Sequence, residues 1–119
     1  MRIERKAGRH TIILEQYNIG NDILLMILGG DEHHIGGVSV AYPTRSHYRD
    51  AVTISLNSLT LPGHKDYVLS NSLAEKVSGA LEKVVTVIVG IHMENATKDE
   101  IELAVKVSHE LVDEFLNQN

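Results

Sequence analysis

Val84-Val85-Thr86-Val87-Ile88-Val89-Gly90-Ile91 reads VVTVIVGI, β-branched at every position except Gly90. A strand with one face in water alternates apolar and polar residues, whereas this run is apolar on both parities. It therefore predicts a strand buried on both faces, at the centre of a sheet. Downstream, Thr97 and Glu100 have the spacing of a capping box, and Ile101, Ala104, Val105, Ser108, Leu111, Val112, Phe115 and Leu116 trace one helical face. Upstream, Leu69, Leu73, Val77 and Ala80/Leu81 recur at helical spacing, with a second capping box offered by Ser72 and Glu75. The central strand is thus flanked in sequence by two helices.

Further towards the N-terminus the period falls to two. Ile12 to Leu14 and Ile23 to Leu28 are apolar runs joined by the turn-like Tyr17-Asn18-Ile19-Gly20-Asn21-Asp22, which predicts a hairpin. Val38, Val40 and Tyr42 alternate with Ser39 and Ala41 up to Pro43, and Val52, Ile54 and Leu56 alternate with Thr53, Ser55 and Asn57. The predicted order is β-β-β-β-α-β-α, with a further strand at residues 2–8. The fold class is α+β: a single two-layer domain over residues 1–119, a mainly antiparallel sheet with two helices packed on one face. One sheet face is then left without helices, and it invites a ligand or a second subunit.

The chain has 119 residues, a formal net charge of −5, no Cys and no Trp. A length of this order buries roughly two-thirds of the unfolded surface, enough for one small core. Disulfides, thiolate metal sites and cysteine catalysis are excluded. The charge balance and the lack of stacking aromatics argue against nucleic acid. No apolar run has the length of a membrane span and the N-terminus lacks signal-peptide form, so a cytoplasmic protein is expected. Arg2, Arg5, Lys6 and Arg9 fit a charged edge strand, with a docking patch for an acidic partner as the alternative.

Polar groups cluster beside glycine at predicted strand ends: Gly29-Gly30-Asp31-Glu32-His33-His34-Ile35-Gly36-Gly37, Tyr42-Pro43-Thr44-Arg45, Pro62-Gly63-His64-Lys65-Asp66 and Gly90-Ile91-His92-Met93-Glu94-Asn95. His34, His64 and His92 with Asp31 or Glu94 are suitable metal ligands by type, though no short-range spacing joins them. Glycine pairs also suit an anion held by backbone N–H groups, with Arg45 and Lys65 supplying charge. Neither the Rossmann nor the P-loop fingerprint is present, and no serine stands in a nucleophile elbow. No catalytic residue is assigned, and nothing here demands an enzyme.

As a set, Gly-Gly-x-x-x-His-Ile-Gly (residues 29–36), Gly-His-Lys-Asp (63–66) and Gly-Ile-His-x-x-Asn-Ala (90–96) resemble the LpdD-like family. The resemblance runs from about Leu28 into the last helix. It implies a small chaperone that holds prenylated flavin mononucleotide and passes it to a UbiD-type decarboxylase of hydroxylated aromatic acids. By that resemblance the cofactor-binding positions are Gly29, Gly30, His34, Ile35, Gly36, Gly63, His64, Lys65, His92 and Asn95, with Arg45 added for the phosphate. His33 stands where the family pattern has a proline. A homodimer is expected. The alternatives are a small metal-dependent enzyme built on the histidines, or a dimeric assembly protein without cofactor.

Overall fold

The computed structural model describes residues 1–46, 48, 50–61 and 66–119. The sheet strands are β1 (Arg2–Ala7), β2 (His10–Ile19), β3 (Asp22–Gly30), β4 (Glu32–Arg45), β5 (Val52–Thr60) and β6 (Val85–His92), with helices α1 (Asp66–Leu81) and α2 (Lys98–Asn117). The N-terminal strand is therefore present, and all six strands form one sheet in the order β1-β2-β3-β6-β4-β5. Among the described residues only β3 and β6 run parallel; every other pairing is antiparallel. The VVTVIVGI segment is β6, inserted between β3 and β4 as its two-sided apolar pattern predicts.

Both helices lie on one face of the sheet. Ile12, Leu14, Leu25, Ile27, Val85, Val87 and Val89 point towards them and meet Leu73, Val77, Leu111, Val112 and Phe115 in the core. Each such buried side chain contributes roughly 1.5–3 kcal/mol relative to exposure. The edge strand β1 carries its arginines in pairs with acids: Arg2 with Glu4 and Glu15, Arg5 with Glu110 and Glu114 of α2.

Two local expectations are corrected. α1 begins at Asp66, so Ser72 and Glu75 sit inside the helix and form no cap. β4 neither starts at Val38 nor ends at Pro43; it spans 14 residues, Glu32–Arg45, with a register shift between His33 and Gly37. Pro43 is tolerated because β4 outruns β6 at Ala41, leaving one side of its last residues unpaired, as at a sheet edge. Among the described residues, no helix is long and apolar enough to cross a membrane.

Candidate ligand-binding cleft

The chain leaves β3 at Gly30, crosses the end of β6 at Asp31 and returns as β4 on the other side. Gly30 and Glu32 accordingly both pair with His92. This crossing gathers the 29–37 and 90–95 segments at one end of the sheet, with Asp66 beside them. The backbone of His34 passes directly over Gly90, where a Cβ would overlap the His34 carbonyl. Gly36 leaves room for the Asp66 carboxylate at the start of α1, and Gly37 for the backbone of Tyr67. Gly29 and Gly30 lie in β3, close against Ile12 and His92 respectively. The glycines thus admit neighbouring parts of the same chain.

Their close contacts position two histidines. His34 Nε2 lies 3.2 Å from Asp66 Oδ2, both side chains about four-fifths buried at 22% and 20% exposed. The His34 and His92 rings meet edge to face, centroids 6.2 Å apart. His92 Nε2 is 3.0 Å from Glu94 Oε1, and this hydrogen bond, reinforced by the charges of Glu94, Glu32 and Asp31, raises the His92 pKa above the ordinary histidine value. His92 is exposed and can face a ligand.

The turn after β6 is held from outside. Asp31 accepts a 2.7 Å hydrogen bond from Glu94 N at one oxygen and lies 3.2 Å from His10 Nε2 at the other, while its own N–H donates to His92 O. The Glu94 hydrogen bond chiefly, with His10 and Arg9 adding, lowers the Asp31 pKa. Arg9 binds Glu100 Oε2 at 2.7 Å and Glu94 O at 2.9 Å. Asn95 takes a left-handed backbone, φ 51°, which asparagine adopts more readily than most residues.

Beside the histidines a cleft of about 520 Å³ opens between the N-terminal halves of α1 and α2. Val68, Leu69, Ile91, Met93, Ile101 and Val105 give it apolar walls; Asp66 and His92 stand at one end, with Ser72 and His109 also facing it. Val68, Ile101 and Val105 remain 60%, 50% and 40% exposed, so the mouth is open and apolar. Burial and the nearby Lys76 ammonium lower the His109 pKa.

Of the sequence-predicted residues, His92 lines the cleft, His34 and Gly36 touch its lining residue Asp66, and Asn95 lies in the exposed turn beside it, with Gly29 and Gly30 at the adjoining strand end. Ile35 is exposed on β4. Arg45 is not brought in: it sits at the far end of β4, eleven residues or about 36 Å from His34, and pairs with Asp50. Gly63, His64 and Lys65 lie outside the described residues. Among the described residues no three His, Asp or Glu side chains are grouped to hold a metal. Sequence reasoning missed Asp66 as His34's partner, and missed the cleft itself. The signal was present in Ile101 and Val105, which belong to the apolar stripe of α2 yet are surplus to the core.

The donor set suits a flat heteroaromatic ligand. Apolar walls accept a ring system of flavin size, within the roughly 300–1,000 Å³ range of small-molecule sites. His92, Ser72 and His109 can meet ring carbonyls and nitrogens. Both helix N-termini also point to this end, where their dipoles favour an anion.

Residues 6–119 match a family model described as the prenylated flavin chaperone LpdD-like domain. The chain is similar to Protein LpdD of Lactiplantibacillus plantarum (strain ATCC BAA-793 / NCIMB 8826 / WCFS1), 31% identical over 93 residues. That alignment covers 78% of this chain and 65% of LpdD, slightly under two thirds of the relative's length. In fold it is similar to a chain of the crystal structure of a novel chaperone complex for yeast 20S proteasome assembly. There the TM-score is 0.55 at 14% identity, over 99% of this chain and 93% of the other, a likeness of architecture alone.

Proposed function

The chain belongs to the prenylated flavin chaperone LpdD-like family, and we propose that it holds prenylated flavin mononucleotide in the cleft between α1 and α2 and delivers it to a UbiD-type decarboxylase. The observation that carries this reading is the apolar, open-mouthed cleft with His92 and the His34–Asp66 pair at its end.

Bound there, the flavin would place its ring system, enlarged by the prenyl-derived ring, against Val68, Leu69, Ile101 and Val105. His92, its pKa raised chiefly by the Glu94 hydrogen bond, takes up a proton more readily than an ordinary histidine and can donate to a ring carbonyl or a phosphate. Asp66 fixes the His34 ring, and that ring meets the edge of His92. The Gly63-His64-Lys65 segment, immediately before α1, is the proposed phosphate contact. An exposed aliphatic mouth suits a carrier, because a ligand covered incompletely can be handed on. The cofactor brings the decarboxylation chemistry to the partner enzyme; this chain binds, shields and releases it. The reading places the protein in the cytoplasm, as a homodimer.

Native mass spectrometry with flavin mononucleotide and, separately, its prenylated form tests this. Retention of the prenylated flavin, reduced by His92→Ala and Ile101→Asp, is the expected result. Failure to retain either flavin, together with no gain in holo-decarboxylase when the protein is added to apo-enzyme, would overturn it.

A further inference from the structure

The face of the sheet opposite the helices is apolar across its central strands. In register across the strands, Glu15, Met26, Ile88, Val38 and Leu59 form one row; Tyr17, Leu24, Thr86, Val40 and Asn57 form the next. Ile13 and Leu28 continue the patch beside the first row. Across β3, β6 and β4, the central strands, these rows carry no charge. An antiparallel sheet facing water has polar residues there. Instead Leu24, Met26, Leu28, Val38, Val40 and Ile88 are only partly covered by one another, and Tyr17 and Leu59 stand 49% and 68% exposed at the flanks.

The chemistry of the cover follows from the rim. Arg2 pairs with Glu4 at 3.1 Å and with Glu15 at 3.6 Å, so the charges beside the first row at the β1–β2 edge satisfy one another, and Lys6 stands further along β1, opposite Thr11 and beyond the apolar rows. Across those rows a strongly charged partner finds no complement. The face presents the outer side of a sheet and the cleft opens on the helix side, so it offers a surface for another protein.

Its size can be compared with what an interface requires. The molecule measures 49 × 31 × 23 Å. Five strands about 4.8 Å apart and some 20 Å of strand give a face of about 480 Å², apolar over its three central strands. Two such faces bury about 1,000 Å² together, where specific interfaces begin.

We infer that this face packs against the same face of a second copy, closing a two-sheet sandwich with the helices outside. Identical faces with the same twist can pack on one another about a two-fold axis lying between the sheets. An axis along the strands sets each β1 edge, with its paired charges, opposite the partner's β5, whose outward Ser55 and Asn57 are neutral. No like charges meet. The inference gives the homodimer of the proposed function its interface, and leaves both clefts outward and accessible.

Sedimentation velocity on the full chain, followed on the same samples by flavin retention, tests it. Wild type should sediment as a dimer. Met26→Glu, on the open face, and Leu59→Lys, at an already exposed flank where folding tolerates a charge, should weaken dimerisation at least about tenfold. Ile101→Glu, in the cleft mouth, should leave the dimer intact while lowering flavin retention. A wild-type protein that stays monomeric at about 100 µM would overturn the inference, whether or not a decarboxylase then occupies the face. So would a dimer indifferent to Leu59→Lys, or one dissolved by Ile101→Glu. Flavin retention by a monomeric variant separates failure at the interface from failure of the carrier reading.

Discussion

At Gly90 a single methyl group would land on the carbonyl of His34; at Gly36 it would land on the carboxylate of Asp66. The two positions look alike in sequence, but the obstacles differ. The His34 carbonyl is backbone, held where β4 crosses β6, and cannot yield without moving a strand. The Asp66 carboxylate ends a side chain and can swing away, at the expense of its contact with His34 Nε2. Gly90→Ala is therefore expected to destabilise by upward of about 3 kcal/mol, or to prevent folding. Gly36→Ala should leave a folded protein, about 1–2 kcal/mol less stable, with prenylated-flavin retention down about tenfold. Thermal denaturation read beside native mass spectrometry separates the cases. Equal stability losses at both sites would show that the two contacts are alike.

At the scale of elements, α2 was legible because its start is a local device. Thr97 Oγ1 accepts from Glu100 N and Glu100 Oε1 accepts from Thr97 N, both at 3.1 Å. Thr97→Ala removes the hydroxyl half of this box and should lower stability by about 1 kcal/mol, which is about 4 °C in Tm for a chain of this size. Arg9→Ala in the same background should lower it further, since Arg9 binds Glu100 from the β1–β2 hairpin; a Tm unmoved by Thr97→Ala would remove the cap from the account. The start of α1 was not legible from the Ser72–Glu75 pattern. That helix begins six residues earlier, where Asp66 and Tyr67 pack on Gly36 and Gly37, a contact between segments far apart in sequence. The first half of β4 was obscured likewise: Glu32 to Gly37 has the composition of a turn, and becomes strand because β6 ends alongside it. The site follows the same division. Strand ends marked by glycine and histidine could be read, so His34 and His92 could be nominated. That Arg45 lies a whole strand length from them depends on how long β4 is, and the cleft depends on how two helices lean together.

Across the whole molecule, the groups with shifted acidity are concentrated where the β6–α2 turn meets the β1–β2 hairpin, so pH should act on that junction. Asp31 is lowered first by the Glu94 N–H and then by His10 and Arg9; Glu100 is lowered first by Arg9 and then by the Thr97 N–H. Depressed carboxylates contribute stability that is present above their unfolded pKa and lost as pH falls through the folded value. His92 has the opposite sign. Raised chiefly by Glu94, it contributes fully below the ordinary histidine pKa, and the contribution fades as pH rises through its raised value. The urea midpoint, followed from about pH 3 to about pH 9, should thus fall steeply on the acid side and step down gently on the alkaline side of the histidine range. Asp31→Asn should flatten the acid limb, and Glu94→Gln should remove the alkaline step while bringing the His92 titration, read by NMR, back towards the free value. Flavin retention should follow the alkaline step if His92 holds the ligand as a cation, and an alkaline step that persists in Glu94→Gln would assign it to another group. His109 adds to the acid limb, because burial and Lys76 depress its pKa and protonating it opposes the packing of α1 on α2. Acidification therefore loosens both the junction that positions His92 and the helix pair that walls the cleft, so flavin retention, if the cleft is the binding site, should fall on the acid side before the sheet unfolds.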